Sequence, residues 1–161
     1  MRTITEQDRE YLRRAVELAE EALEAGDEPF GSVLVDASGA IRFEDHNRVS
    51  GGDATRHPEF EIARWAAANL TPEERQNCVV YTSGEHCAMC AAAHAMVGLG
   101  RIVYATSGEQ LRAWRRDWGA PRSVMTPLPI NAVAPNLVVA GPDPELSEVV
   151  KRLQERRLGI R

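Results

Sequence analysis

Apolar residues recur along the chain in two periods, and the points where one period gives way to the other mark out its elements. Leu12, Ala15, Val16, Ala19, Ala22 and Leu23 fall at helical spacing behind Thr5-Glu6-Gln7-Asp8, which resembles a capping box. Gly26 stops that helix, and Asp27-Glu28-Pro29 makes a turn. Phe30 to Asp36 then reads as a buried strand, Ala37-Ser38-Gly39-Ala40 as a hairpin-like connection, and Ile41 to His46 as the antiparallel return strand. The loop Asn47 to Arg56 contains Gly51-Gly52-Asp53 and is long enough to carry function.

Pro58 occupies a favourable first-turn position, and Ile62, Ala63, Ala66, Ala67 and Leu70 follow on one face, so a second helix begins at His57-Pro58-Glu59. Thr71-Pro72-Glu73-Glu74 reads as a short capped turn and Cys78 to Thr82 as a third strand. A third helix opens at Cys87-Ala88-Met89-Cys90 and runs to about Leu99; Arg101 to Ala105 is strand four. A helix-like segment covers Gly108 to Trp118, a proline-rich loop Pro121 to Pro135, and strand five Leu137 to Ala140. Asp143-Pro144-Glu145 caps a last amphipathic helix, 143–158, carrying Leu146, Val149, Val150 and Leu153.

A helix and a β-hairpin followed by alternating helices and strands predict an α/β layered fold with five strands in a mixed sheet. The long, helix-containing connection between strands four and five predicts that they run parallel. No repeat, low-complexity tract or linker divides the chain, so residues 1–161 read as one domain with the last helix packing on it or extending from it.

Composition narrows the classes. The chain has 161 residues, 43% hydrophobic and 27% charged, which suits a single domain with a full core. No apolar run approaches the roughly 18 residues of a membrane span, and Met1 to Glu10 is polar rather than signal-like, so a cytoplasmic protein without a membrane partner is expected. Three cysteines in such a chain argue for reduced thiols. A formal net charge of −5 gives no global attraction to phosphate backbones. Arg115, Arg116 and Arg122 beside Trp114 and Trp118 have the composition of a nucleic-acid surface, but a solvated helix face with aromatic anchors is the favoured reading.

The chemistry gathers at helix starts. Two thiolates three residues apart, Cys87 and Cys90, can converge on one ion from a first helical turn, where the dipole favours negative charge. Alone, that spacing also fits redox helices and structural zinc knuckles. His57 begins another helix, and the alternation of elements can bring both helix starts to one sheet edge. His57, Cys87 and Cys90 with an open fourth position then describe a catalytic zinc site rather than a closed structural one. Cys78 lies at the far end of its strand and reads as a core thiol. His94, one turn beyond Cys90, reads as packed within its helix or supporting the site rather than ligating. Glu59, two residues after His57, need not bind the metal, and its carboxylate can serve the metal's water as a proton shuttle.

His57-Pro58-Glu59 followed by Cys87-Ala88-Met89-Cys90 resembles the zinc-dependent cytidine deaminase superfamily, whose signature is H-x-E with P-C-x-x-C. Pro29-Phe30-Gly31-Ser32-Val33-Leu34-Val35 and Asn47-Arg48-Val49 resemble its guanine deaminase and tRNA adenosine deaminase branch, and the likeness extends over roughly Leu12 to Ala140. One departure is plain: His86 stands where that family usually has proline. The resemblance implies a three-layer α/β/α fold, a Zn2+ cofactor and a homodimer. Glu59 would be the proton carrier, Asn47 a hydrogen-bonding partner of the substrate, Phe30 a residue lining or stacking on the ring, and the Glu85 carbonyl a partner of the amino group; His86 is a candidate pocket wall. As turn, core and loop residues, Asn47, Phe30 and Glu85 also have purely structural readings.

The function expected is therefore hydrolytic deamination of a free nucleobase or related small amino-heterocycle, such as guanine, cytosine or a triazine. A tRNA adenosine deaminase shares the chemistry, and the run Lys151 to Arg161 is its support in the sequence. A non-enzymatic zinc module or a Cys-x-x-Cys redox protein is the alternative from another class.

Overall fold

The computed structural model describes residues 3–160. Met1, Arg2 and Arg161, the ends of the domain read from the sequence, lie outside the described residues. The elements run α1 (Glu6–Glu24), β1 (Gly31–Val35), β2 (Ile41–His46), a 3-10 turn (Val49–Gly51), α2 (Pro58–Asn69), α3 (Pro72–Gln76), β3 (Val79–Gly84), α4 (Ala88–Met96), β4 (Ile102–Thr106), α5 (Gly108–Asp117), α6 (Ile130–Val133), β5 (Val139–Ala140) and α7 (Pro144–Leu158). Thr5 caps α1 as its sequence implies. Its hydroxyl accepts from the Asp8 N–H at 3.1 Å, and the Asp8 carboxylate accepts from the Thr5 N–H at 2.9 Å.

One five-stranded sheet of order β2-β1-β3-β4-β5 organises these elements. β1 pairs antiparallel with β2 and with β3, whereas β3, β4 and β5 run parallel. Because side chains alternate across a strand, Val33 and Val35 of β1, Tyr81 of β3 and Val103 and Ala105 of β4 turn to one face. There they meet Leu12, Val16 and Ala19 of α1 and Leu146, Val150 and Leu153 of α7. Leu34 and Val80 turn to the other face and pack on Ile62, Ala63 and Ala66 of α2, while Ile102 and Tyr104 meet Ala91 of α4 and Ile130 of α6. This is the three-layer α/β/α arrangement, with α7 packed on the domain rather than extending from it.

Several boundaries differ from the sequence reading: β1 is a residue shorter at each end, and β3 starts a residue later and runs on to Gly84. β5 has two residues, because only Val139 and Ala140 pair with Ile102 and Val103. α4 stops at Met96, followed by Gly98 at φ 76°, a left-handed conformation that glycine adopts without strain. The proline-rich stretch contains α6, a single turn too short to show a helical period. Gly31 is needed for packing, since a Cβ there would run into Ala15 and Leu18 of α1. Among the described residues no helix is long and apolar enough to cross a membrane.

Candidate metal centre

The carboxyl end of β3 and the N-termini of α2 and α4 meet at one edge of the sheet. His57 is the N-cap of α2, with Pro58 in its first turn, and Cys87 is the N-cap of α4, with Cys90 in that helix's first turn. His57 Nδ1 lies 3.6 Å from Cys87 Sγ and 3.6 Å from Cys90 Sγ, and the two sulfurs are 3.5 Å apart. In a tetrahedral zinc site with Zn–S of about 2.3 Å and Zn–N of about 2.0 Å, sulfur–sulfur edges are about 3.8 Å and sulfur–nitrogen edges about 3.5 Å. The donor triangle matches those edges closely, so these residues fit a zinc ion. Among the described residues the cluster has three members, His57, Cys87 and Cys90, which leaves the fourth corner to a water or substrate.

The electrostatics of the metal-free donors suit a cation. The hydrogen bond from Cys90, aided by His57, overcomes burial and pulls the Cys87 thiol down to about 4. Cys90 is pushed up, first by its bond to Cys87, then by burial and by the Glu59 charge. The His57 imidazole is raised, mainly by Cys87. A thiol of lowered pKa beside a second sulfur and an imidazole is a donor set that a divalent cation would complete.

Glu59, in the first turn of α2, is buried next to these donors. Its Oε1 lies 3.1 Å from Ser32 Oγ and 2.9 Å from Thr82 Oγ1, both placed to donate to it. Ser32 and Thr82 are register partners across β1 and β3, on the face toward α2, and their hydroxyls are 2.8 Å apart. Burial raises the Glu59 pKa and the Cys87 charge adds to the rise, while His57, Thr82 and Ser32 oppose it. Ser32 and Thr82 were not candidates on the sequence alone. Neither stands out by position, since Thr82 is flanked by Tyr81 and Ser83, and only the register of β1 on β3 makes the two partners.

Asn47 is buried directly after β2. Its N–H donates to the Phe30 carbonyl at 2.9 Å and its Oδ1 accepts from the Val49 N–H at 3.0 Å. The turn role is therefore real, and it fixes the carboxamide with its NH2 group unengaged among the described residues. Phe30 is half-buried, and a Cβ on Gly84 would lie 3.2 Å from its ring, so the absence of a side chain there seats the ring at the end of β3.

Glu85 leaves β3 two residues before Cys87, and its N–H donates to the Thr106 carbonyl at 2.8 Å. His86 is 2% exposed, packs edge-to-face on His94 with ring centroids 5.4 Å apart, and has no partner among the described residues for either ring nitrogen. His94 is buried within α4, its Nε2 2.7 Å from the Gly100 carbonyl, and it is not one of the three donors. Cys78 is a core thiol among Leu34, Ile62 and Val80.

Residues 5–106 match the family model described as the cytidine and deoxycytidylate deaminase zinc-binding region. The chain is 34% identical over 108 residues to a probable cytosine deaminase of Schizosaccharomyces pombe, covering 67% of this chain and 65% of that protein. It is 35% identical over 104 residues to the tRNA-specific adenosine deaminase of Haemophilus influenzae, covering 64% and 60%. Each match thus spans less than two thirds of the curated relative's own length. The solved structure of guanine deaminase from Bacillus subtilis superposes with a TM-score of 0.57 at 28% identity, over 79% of this chain and 89% of that one.

Proposed function

The chain belongs to the cytidine and deoxycytidylate deaminase family, and from that premise we propose that it hydrolyses the amino group of a free nucleobase or related small amino-heterocycle, such as guanine, cytosine or a triazine. In that reaction a carbon–oxygen bond forms, the carbon–nitrogen bond breaks, and water and the amino compound become an oxo compound and ammonia. Zinc held by His57, Cys87 and Cys90 supplies Lewis acidity, which lowers the pKa of a water from 15.7 to about 7.

The remaining steps are proton transfers by Glu59. A buried carboxylate with a raised pKa takes a proton from water and gives it up again readily. In this reading Glu59 takes the water's first proton and delivers it to the ring nitrogen beside the amino-bearing carbon, then takes the proton of the newly attached hydroxyl and passes it to the amino group, which leaves as ammonia as the carbon–nitrogen bond breaks. Ser32 and Thr82 keep Oε1 engaged, so that proton traffic uses Oε2. Asn47 offers its NH2 group to a ring acceptor, Phe30 its face to the ring, and the Glu85 carbonyl accepts from the substrate's amino group. His86 backs the Cys87 turn and so shapes the wall behind the ring.

One observation carries the reading: a buried carboxylate that is not a ligand stands beside a three-donor centre. A redox pair has no need of His57 at 3.6 Å from both sulfurs, and a structural zinc has a fourth protein ligand. Engagement of three of the last helix's four basic residues favours a small ring over tRNA. Arg156 pairs with Glu20 at 2.9 Å, Arg157 with Glu28 at 3.0 Å, and Lys151 sits over the Trp114 ring. The relative from Haemophilus influenzae keeps tRNA as the second reading. A homodimer acting in the cytoplasm completes the proposal, and the exposed Met96 at the end of α4 suits such a contact.

An ammonia-release screen of the zinc-loaded protein over free bases, nucleosides, amino-triazines and tRNA tests it. Turnover of a free ring is expected; inosine formation in tRNA without turnover of any free ring selects the second reading.

A further inference from the structure

The Glu85 side chain does something its proposed carbonyl contact does not require. Its Oε1 accepts from the Gly108 N–H at 2.9 Å and its Oε2 from the Ile130 N–H at 2.9 Å. Those are the first residues of α5 and α6. Amides in a first helical turn have no partner within their own helix, and an anion is the favoured one. Ser107 and Gln110 already form a capping box on α5, so Glu85 completes a cap supplied from elsewhere in the chain. One carboxylate thereby pins both roots of the excursion 108–130 to the turn that leads into Cys87.

That excursion follows the family-matched residues 5–106 and carries Val124, Met125 and Leu128 exposed between its two helices. Two residues flank the bracket with buried polar atoms that have no partner among the described residues: both His86 ring nitrogens and Thr106 Oγ1. Segment 108–133 therefore stands against the metal-bearing turn through a fixed joint, two residues from the ligand Cys87.

We propose that Glu85 is a positioning residue whose carboxylate couples segment 108–133 to the metal-ligand turn, making that segment a wall of the substrate site that selects among rings. This rests on the deaminase reading above. Glu85→Gln keeps the side chain's length but has only one accepting oxygen, whereas Glu85→Ala has none.

The test uses zinc-loaded wild type and both variants, with zinc content measured in each. Amide hydrogen exchange at Gly108 and Ile130 reads the joint without any substrate. Faster exchange is expected at one of these amides in Glu85→Gln and at both in Glu85→Ala. On the best ring from the ammonia-release screen, KM rises about tenfold in Glu85→Ala, the scale of losing a charged hydrogen bond. The order of preference among rings, read as the ratio of their kcat/KM values, changes with it. Unchanged exchange at both amides overturns the joint. Freed amides with unchanged KM and ring preference overturn its role in selection. Absence of turnover by wild type on every ring counts against the deaminase reading instead, and the exchange result still decides the joint.

Discussion

Glu59 Oε1 lies 2.9 Å from Thr82 Oγ1, a contact that ties the first turn of α2 to the middle of the sheet. Thr82→Val keeps the shape and removes the donor, leaving the buried carboxylate with Ser32 as its remaining hydroxyl partner. Hydrogen bonds to charged groups contribute about 1.5–3 kcal/mol, so kcat should fall roughly tenfold with stoichiometric zinc retained. Steady-state kinetics with metal analysis of the same preparation checks this.

Zinc removal should make one thiol reactive first. Cys87 is half-buried with its thiol pKa held at about 4, whereas Cys90 and Cys78 are 0% and 1% exposed. A thiol-reactive chromogen should titrate Cys87 rapidly after chelation of the folded protein, and readdition of zinc should protect it. Fast reaction of Cys78 is expected only on unfolding.

His94 gives the fold a pH dependence that can be separated from the metal donors. Burial holds its pKa down at about 4, against the opposing bond to the Gly100 carbonyl. Its unfolded value is near 6.5, so between those limits the unfolded chain binds a proton that the folded one does not. Stability therefore rises with pH across that window and is lost as pH falls through it. The difference amounts to about 3 kcal/mol at about 1.4 kcal/mol per pH unit. Urea denaturation of wild type and His94→Gln at pH 4.5, 5.5 and 7 should show a shallower slope in the variant.

Much of this was legible in the sequence, for identifiable reasons. The His57, Cys87 and Cys90 pattern names its own chemistry because few residue types bind zinc and their positions at helix starts restrict where they can point. Long amphipathic elements such as α1 and α7 declare themselves by period and cap. What could not be read depends on contacts between distant positions. Ser32 and Thr82 become partners of Glu59 only once the register of β1 on β3 is set, and neither hydroxyl stands out in its own strand. Glu85 reads as exposed loop until α5 and α6 bring their first amides to it, and α6 is itself too short to leave a periodic trace. The orientation of His86 toward His94 likewise depends on how the turn before Cys87 lies on α4.

The central claim is that Glu59 carries protons at a zinc centre it does not help to hold. Its most direct test is ammonia release by Glu59→Ala loaded with zinc, measured beside wild type on the best substrate from the screen. The account predicts one zinc per chain in both proteins and a loss of kcat of at least about a thousandfold in the variant, within the 10²–10⁴ range of general acid–base catalysis. Full activity in a zinc-replete Glu59→Ala protein would contradict it.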